Sequence, residues 1–141
     1  MAKIILASHG GLSKGMKDSV SMIVGDLAKD IETYSLLPGQ NPEDFYQEVL
    51  KQYHIEAKEC EEQILILCDI KGGSVHTALS KLAVLDNVMV FSGMNMGLVL
   101  DAVMKGLNGK LELAEANDLI EAAKDGMTVM NGMTSEDDED F

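Results

Sequence analysis

The sequence predicts an α/β domain: a doubly wound, mostly parallel sheet with helices on both faces, giving three layers. Three observations predict it. Apolar runs at residues 3–8, 63–69 and 87–92 are of strand length and lack polar alternation, as strands buried on both faces require. The stretches between them carry apolar residues at a 3.6-residue period. Glycine or proline turns separate the two kinds of segment, so strands alternate with helices along the chain.

The first strand, residues 3–8, runs into His9-Gly10-Gly11. A helix follows, with Ser13 placed to cap it and Met16, Val20, Ile23, Val24 and Leu27 as its buried stripe. Residues 31–36 form the second strand, closed by Pro38-Gly39. Asn41-Pro42-Glu43-Asp44 then orders a cap, a first-turn proline and two acids as helix starts prefer. Phe45, Val49, Leu50 and Tyr53 are the apolar face of this second helix, expected to reach about Cys60. The run Ile64 to Cys68, stopping at Asp69, is the strongest strand signal and belongs at the centre of the sheet. Ser74 caps a third helix with Val75, Ala78, Leu79, Leu82 and Ala83 inward. After the fourth strand, Asn95 caps a helix bearing Val99, Ala102, Val103 and Leu107. A fifth helix with Ala116, Leu119, Ile120 and Ala123 ends at Gly126. Residues 127–130 are short enough for an edge strand. One domain is thus expected over 1–131, and 132–141, with five consecutive acids, reads as a solvated tail.

A strand order of 2-1-3-4, the flavodoxin-like arrangement, follows from this alternation. Its switch point lies between strands one and three, where ligands bind beyond the carboxyl ends. His9 leaves strand one and Asp69 ends strand three. Neighbouring strands lie about 4.8 Å apart, so the carboxylate reaches the ring. A carboxylate on Nδ1 fixes the tautomer and leaves Nε2 as an oriented nucleophile. Gly10, Gly72 and Gly73 leave backbone unshielded near that point, and Ser74 adds a hydroxyl at a helix start, an arrangement suited to a phosphoryl group. Lys14, Lys17 and Lys71 are either near that anion or merely solvated, and His76, just inside the third helix, either lines the site or, the favoured reading, lies on the surface. Met94 and Met96 fit the core or a subunit contact.

Composition removes several function classes. With 24 acidic and 11 basic side chains the net charge is -13, and no residue is arginine. Such a chain repels nucleic acid, and 4% aromatics without tryptophan provide few stacking platforms. No apolar run approaches a membrane span or a signal peptide, so the expectation is a cytoplasmic protein that is not membrane-inserted. Cys60 and Cys68 form no metal-ligand pattern and read as reduced thiols, Cys68 in the core; no metal or cofactor is expected. Neither a Walker A nor a Rossmann fingerprint is present. Histidine phosphatases clamp phosphate with arginines, which this chain lacks.

Three segments carry a resemblance: residues 4–10 (Ile-Ile-Leu-Ala-Ser-His-Gly), residues 67–74 (Leu-Cys-Asp-Ile-Lys-Gly-Gly-Ser) and Gly93-Met94-Asn95. Together they resemble the enzyme IIA component of the bacterial sugar phosphotransferase system (PTS), mannose, fructose and sorbose family. The resemblance implies that His9 accepts a phosphoryl group on Nε2 from phospho-HPr and passes it to a IIB component. In that role Asp69 orients His9, and Ser74 with nearby backbone donors holds the phosphoryl oxygens. It also implies a homodimer in which residues 127–131 pair antiparallel with the partner's sheet. A regulatory phosphohistidine protein of the same family, uncoupled from transport, is the alternative. Val75, Thr77 and Gly97 depart from the family pattern without touching the histidine chemistry.

Overall fold

A computed structural model of the chain describes residues 2–53 and 62–132. Four strands, β1 Lys3–His9, β2 Glu32–Leu36, β3 Ile64–Cys68 and β4 Val88–Phe91, form one all-parallel sheet in the order 2-1-3-4. Helices α1 Leu12–Val24, α2 Pro42–Gln52, α3 Ser74–Leu79, α4 Met96–Gly106 and α5 Leu113–Asp125 cover it.

The two-residue period of the strands divides the core. Ile4, Leu6, Leu65, Leu67 and Phe91 face one way, onto Val20 of α1, Leu98 to Val103 of α4 and Ala116 and Leu119 of α5. Ile5, Ala7, Ile64, Ile66 and Cys68 face the other way, onto Phe45 and Val49 of α2 and Val75 and Leu79 of α3. Every residue of β3 is buried, which is why its sequence carries no polar alternation. The chain moves outward from β1 to β2, then crosses back over β1 to β3, so the β1/β3 boundary is the switch point.

Several local expectations change. Neither Ser13 nor Ser74 is a cap: Gly11 and Gly73 precede the helices. The Ser13 N–H is satisfied instead by Ser8 Oγ at 2.8 Å, reaching over from β1, while Ser13 Oγ donates to the Tyr34 carbonyl at 2.8 Å. Ile23 and Leu27 are exposed, because Gly25, with φ 61, stops α1 and a 3-10 turn to Ala28 buries that alanine in place of Leu27. Likewise α3 tightens into a 3-10 turn over Ser80–Val84, which keeps Leu82 buried but rotates Ala83 outward. The caps expected from Asn41 and Asn95 are present, accepting from the N–H groups of Glu43 and Leu98.

No strand forms at residues 127–130. The sheet has four strands, and this segment lies outside it, with Met127 75% and Val129 87% exposed. A lone extended segment has no ladder partner, and its apolar side chains find no core of their own. The expected extension of α2 to Cys60, with His54, and the acidic stretch 133–141 lie outside the described residues.

Candidate functional site

Parallel pairing of β1 with β3 sets Ala7 opposite Cys68, so the chain leaves the sheet at one rim with His9 and Asp69 side by side. The contact is close. Asp69 Oδ2 lies 2.8 Å from His9 Nδ1 and accepts the His9 backbone N–H at 2.8 Å, while Oδ1 accepts the Ile70 N–H at 2.9 Å. The carboxylate side chain is 9% exposed and the imidazole 49%. Burial pushes the Asp69 carboxyl upward, but the hydrogen bonds from His9 and Ile70, aided by any charge on the ring, hold it below its ordinary value.

That carboxyl is therefore ionised at neutral pH and has no proton to donate. The hydrogen of the Nδ1 to Asp69 bond must sit on Nδ1, which leaves the Nε2 lone pair facing outward. Ser74 Oγ lies 3.2 Å from Nε2 and donates to it. Serine at the first position of α3 thus serves the histidine, not the helix.

The loop between Asp69 and Ser74 passes directly over the ring. A Cβ on Gly73 would stand 3.3 Å from His9 Cε1 and 2.7 Å from Ile70 Cγ2, so glycine is what permits this approach. Gly72 has φ +78. The glycines supply shape here, since their own N–H groups are engaged: Gly10 N–H donates to Leu36 O at 2.9 Å, Gly73 N–H to Ile70 O at 3.2 Å and Gly72 N–H to His76 Nδ1 at 3.0 Å. The side-chain donor beside Nε2 is the Ser74 hydroxyl, at the start of α3, whose first internal bond runs from Thr77 N to Gly73 O.

The remaining candidates fall away from this point. Lys17 Nζ donates to the carbonyls of Lys29 and Ile31 and so closes the turn after α1. Lys14 is exposed on α1, and Lys71 lines a groove along β4. Burial, with the Asp69 charge behind it, pushes the Cys68 thiol up to about 12, which makes it a core side chain and not a nucleophile. Met94 is buried in the core and Met96 stands at the rim. His76 is no solvated surface residue: its ring accepts the Gly72 N–H. Its position four residues beyond Gly72 was the available signal. Among the described residues, no three His, Cys, Asp or Glu side chains are grouped to hold a metal ion, and no helix is long and apolar enough to cross a membrane.

Comparison with known proteins agrees with the fold. A family model described as the PTS system fructose IIA component, EIIA-man, matches residues 3–124. The sorbose-specific EIIA component of the PTS from Klebsiella pneumoniae is 29% identical over 104 residues, 73% of this chain and 73% of that protein. Among solved structures, the fold is similar to phosphotransferase system component EIIA from Streptococcus agalactiae, with TM-score 0.77, 23% identity, and coverage of 92% of this chain and 97% of that one. It is also similar to the PTS IIA protein associated with the fucose utilization operon of Streptococcus pneumoniae, with TM-score 0.70, 26% identity, and coverage of 92% and 96%.

Proposed function

Since the chain belongs to the EIIA-man family of PTS IIA components, matched from residue 3 to residue 124, we propose that it carries phosphoryl groups on His9, from phospho-HPr to a IIB component. The observation that carries this reading is the 2.8 Å contact between Asp69 and His9 Nδ1, with Nε2 left open beside Ser74 Oγ.

The chemistry balances without a cofactor. The Nε2 lone pair attacks the phosphorus of the donor's phosphohistidine, the donor's P–N bond breaks, and a P–Nε2 bond forms. No proton leaves the ring. The positive charge that develops on the imidazole is held by the ionised Asp69 through Nδ1–H. As the phosphoryl group arrives, the Ser74 hydroxyl turns from the nitrogen to a phosphoryl oxygen, and the opening N–H groups of α3 face the same oxygens. Neutral donors, in a chain without arginine, stabilise the group moderately, which suits a carrier that must release it. The net charge of -13 favours encounter with a basic donor surface.

We place the carrier domain at 1–131, with 132–141 as its acidic appendage, and propose a homodimer joined along the open edge of β4. The decisive experiment is incubation with phospho-HPr followed by mass spectrometry under conditions that preserve acid-labile phosphate. The expected result is one phosphate on His9 that transfers onward to a IIB protein. Phosphate absent from His9 overturns the reading; phosphate that stays on His9 in the presence of IIB transfers the assignment to the regulatory alternative.

A further inference from the structure

Besides the Ile70 N–H bond to Asp69 Oδ1 and the first helical bond of α3, Thr77 N–H to Gly73 O at 2.8 Å, three contacts hold the loop over His9. Ile70 O accepts the Gly73 N–H at 3.2 Å, Thr77 Oγ1 donates to Gly72 O at 3.4 Å, and His76 Nδ1 accepts the Gly72 N–H at 3.0 Å. The first is a bond within the loop itself and the second, at 3.4 Å, is long. The third is the short side-chain tie, and it fastens the loop to the first turn of α3.

We infer that His76 is a positioning residue for His9: by accepting the Gly72 N–H it fixes the glycine loop against the catalytic ring. This inference rests on the carrier reading above. The argument from geometry has three steps. Gly72 sits at φ +78, a conformation open to glycine at little energetic cost, so the loop has wide freedom unless something outside it restrains it. Gly73 lies against the ring, where a Cβ would stand 3.3 Å from His9 Cε1, so a displaced loop bears on the ring's packing. The same loop joins Asp69 on Nδ1 to Ser74 on Nε2, so both partners of the ring move with it. A reacting nitrogen displaced from the in-line path loses rate steeply.

The tie also assigns a tautomer. A nitrogen that accepts from a backbone N–H carries no hydrogen, so the neutral ring of His76 must be protonated on Nε2. His9 is the reverse: its hydrogen lies on Nδ1, directed at Asp69. Two histidines of one loop system hold opposite tautomers, each set by a single neighbour.

Two substitutions separate the tie from simple packing. Asparagine Oδ1 hangs from Cγ as His Nδ1 does, so His76→Asn keeps an acceptor in nearly the same place. His76→Phe keeps the ring and removes the acceptor. The expected result is phosphorylation of His9 by phospho-HPr slowed about fivefold to tenfold in His76→Phe, as loss of one hydrogen bond implies. The change should lie in the maximal rate, with KM for phospho-HPr unchanged, and His76→Asn should restore most of the rate. Wild-type rate in His76→Phe overturns the inference, and so does a His76→Asn chain as slow as His76→Phe. Should His76→Phe fail to fold, His76→Ala takes its place in the same comparison.

A second readout needs no phosphate. In the unphosphorylated protein, nitrogen-15 NMR should show His76 protonated on Nε2 and a coupling across the hydrogen bond between the Gly72 amide nitrogen and His76 Nδ1. A proton on His76 Nδ1 overturns the tie. If His9 never accepts phosphate while this coupling is present, it is the carrier reading that fails and not the tie.

Discussion

The carboxyl rim of β1 and β3 and the outer edge of β4 are both places where the sheet meets solvent, and the chain treats them in opposite ways. At the rim the named groups have partners within the chain: Asp69 takes three hydrogen bonds, His9 has a neighbour on each ring nitrogen, and the loop glycines donate inward. At the β4 edge, among the described residues, no strand pairs with the outer side, and a groove of about 530 Å³ runs along Val88 to Ser92 between α5 and the turn after α3. The rim is finished by one chain. The edge is an open ladder, which soluble proteins normally cover. The difference teaches that the proposed chemistry draws on groups of one chain, whereas the proposed dimer draws on a surface that one chain leaves open.

The largest effect tests the rim. His9→Gln removes the nucleophile, so phosphate uptake from phospho-HPr falls to background. Because the ring is half exposed, unfolding free energy changes by about 1 kcal/mol or less. A chain that loses phosphate uptake only because it unfolds would show the rim to be a packing element, and urea titration of the variant decides this.

Asp69→Asn comes next. It removes the charge that stabilises the imidazolium and weakens control of the tautomer, and phosphate uptake should fall at least about a hundredfold. Stability falls as well, by about 2 kcal/mol at neutral pH, since hydrogen bonds to a charged acceptor are lost. The pH dependence has a definite sign. The folded-state pKa of Asp69 lies below its ordinary 3.8, so the carboxylate stabilises the fold above about pH 4, and this contribution disappears as pH falls through the lowered value. The stability gap between wild type and Asp69→Asn, measured in urea, should therefore close on acidification below pH 4. A gap that widens there would contradict the hydrogen-bond account.

How much of this was legible follows the same division. The order 2-1-3-4 and the meeting of His9 with Asp69 could be read because they depend on apolar runs and strand ends, which local sequence encodes. The exact caps could not. Ser13 looks like a capping residue, yet Ser8 does the work from the neighbouring strand, since a cap is any acceptor in reach and sequence spacing reports only local ones. The role of His76 is hidden for the same reason: a histidine between surface and site becomes a loop tie only when Gly72 turns to φ +78. The strand expected at residues 127–130 rests on a short segment after a helix-ending glycine, which records that a segment can pair but not with which chain.

Gly73→Ala is a smaller perturbation of the rim. The added methyl meets Ile70 Cγ2 at 2.7 Å, but Ile70 is 58% exposed and can swing aside, so the stability loss stays near 1 kcal/mol. His9 Cε1, at 3.3 Å, has less room because Asp69 anchors the ring. Phosphate uptake should slow about tenfold while the melting temperature shifts by only a few degrees. Equal, small effects on both would mean that the loop adapts and that the close approach is incidental.

The smallest effect on chemistry comes from the edge, where the effect on assembly should be complete. Met127, Val129 and Met130 are exposed in the single chain and lie beyond α5, which flanks the open groove along β4. In an extended strand Val129 shares a face with Met127, so both enter the same groove when the segment pairs with a partner's edge. Val129→Asp places a charge on that face, and desolvating it costs more than the pairing returns. Sedimentation should show the wild type at twice the 15.3 kDa chain mass and Val129→Asp at the single-chain mass, with phosphate uptake on His9 unchanged. Wild type sedimenting at 15.3 kDa would end the dimer proposal. A monomeric Val129→Asp chain that also lost phosphate uptake would break the contrast between rim and edge, because the second subunit would then be part of the site.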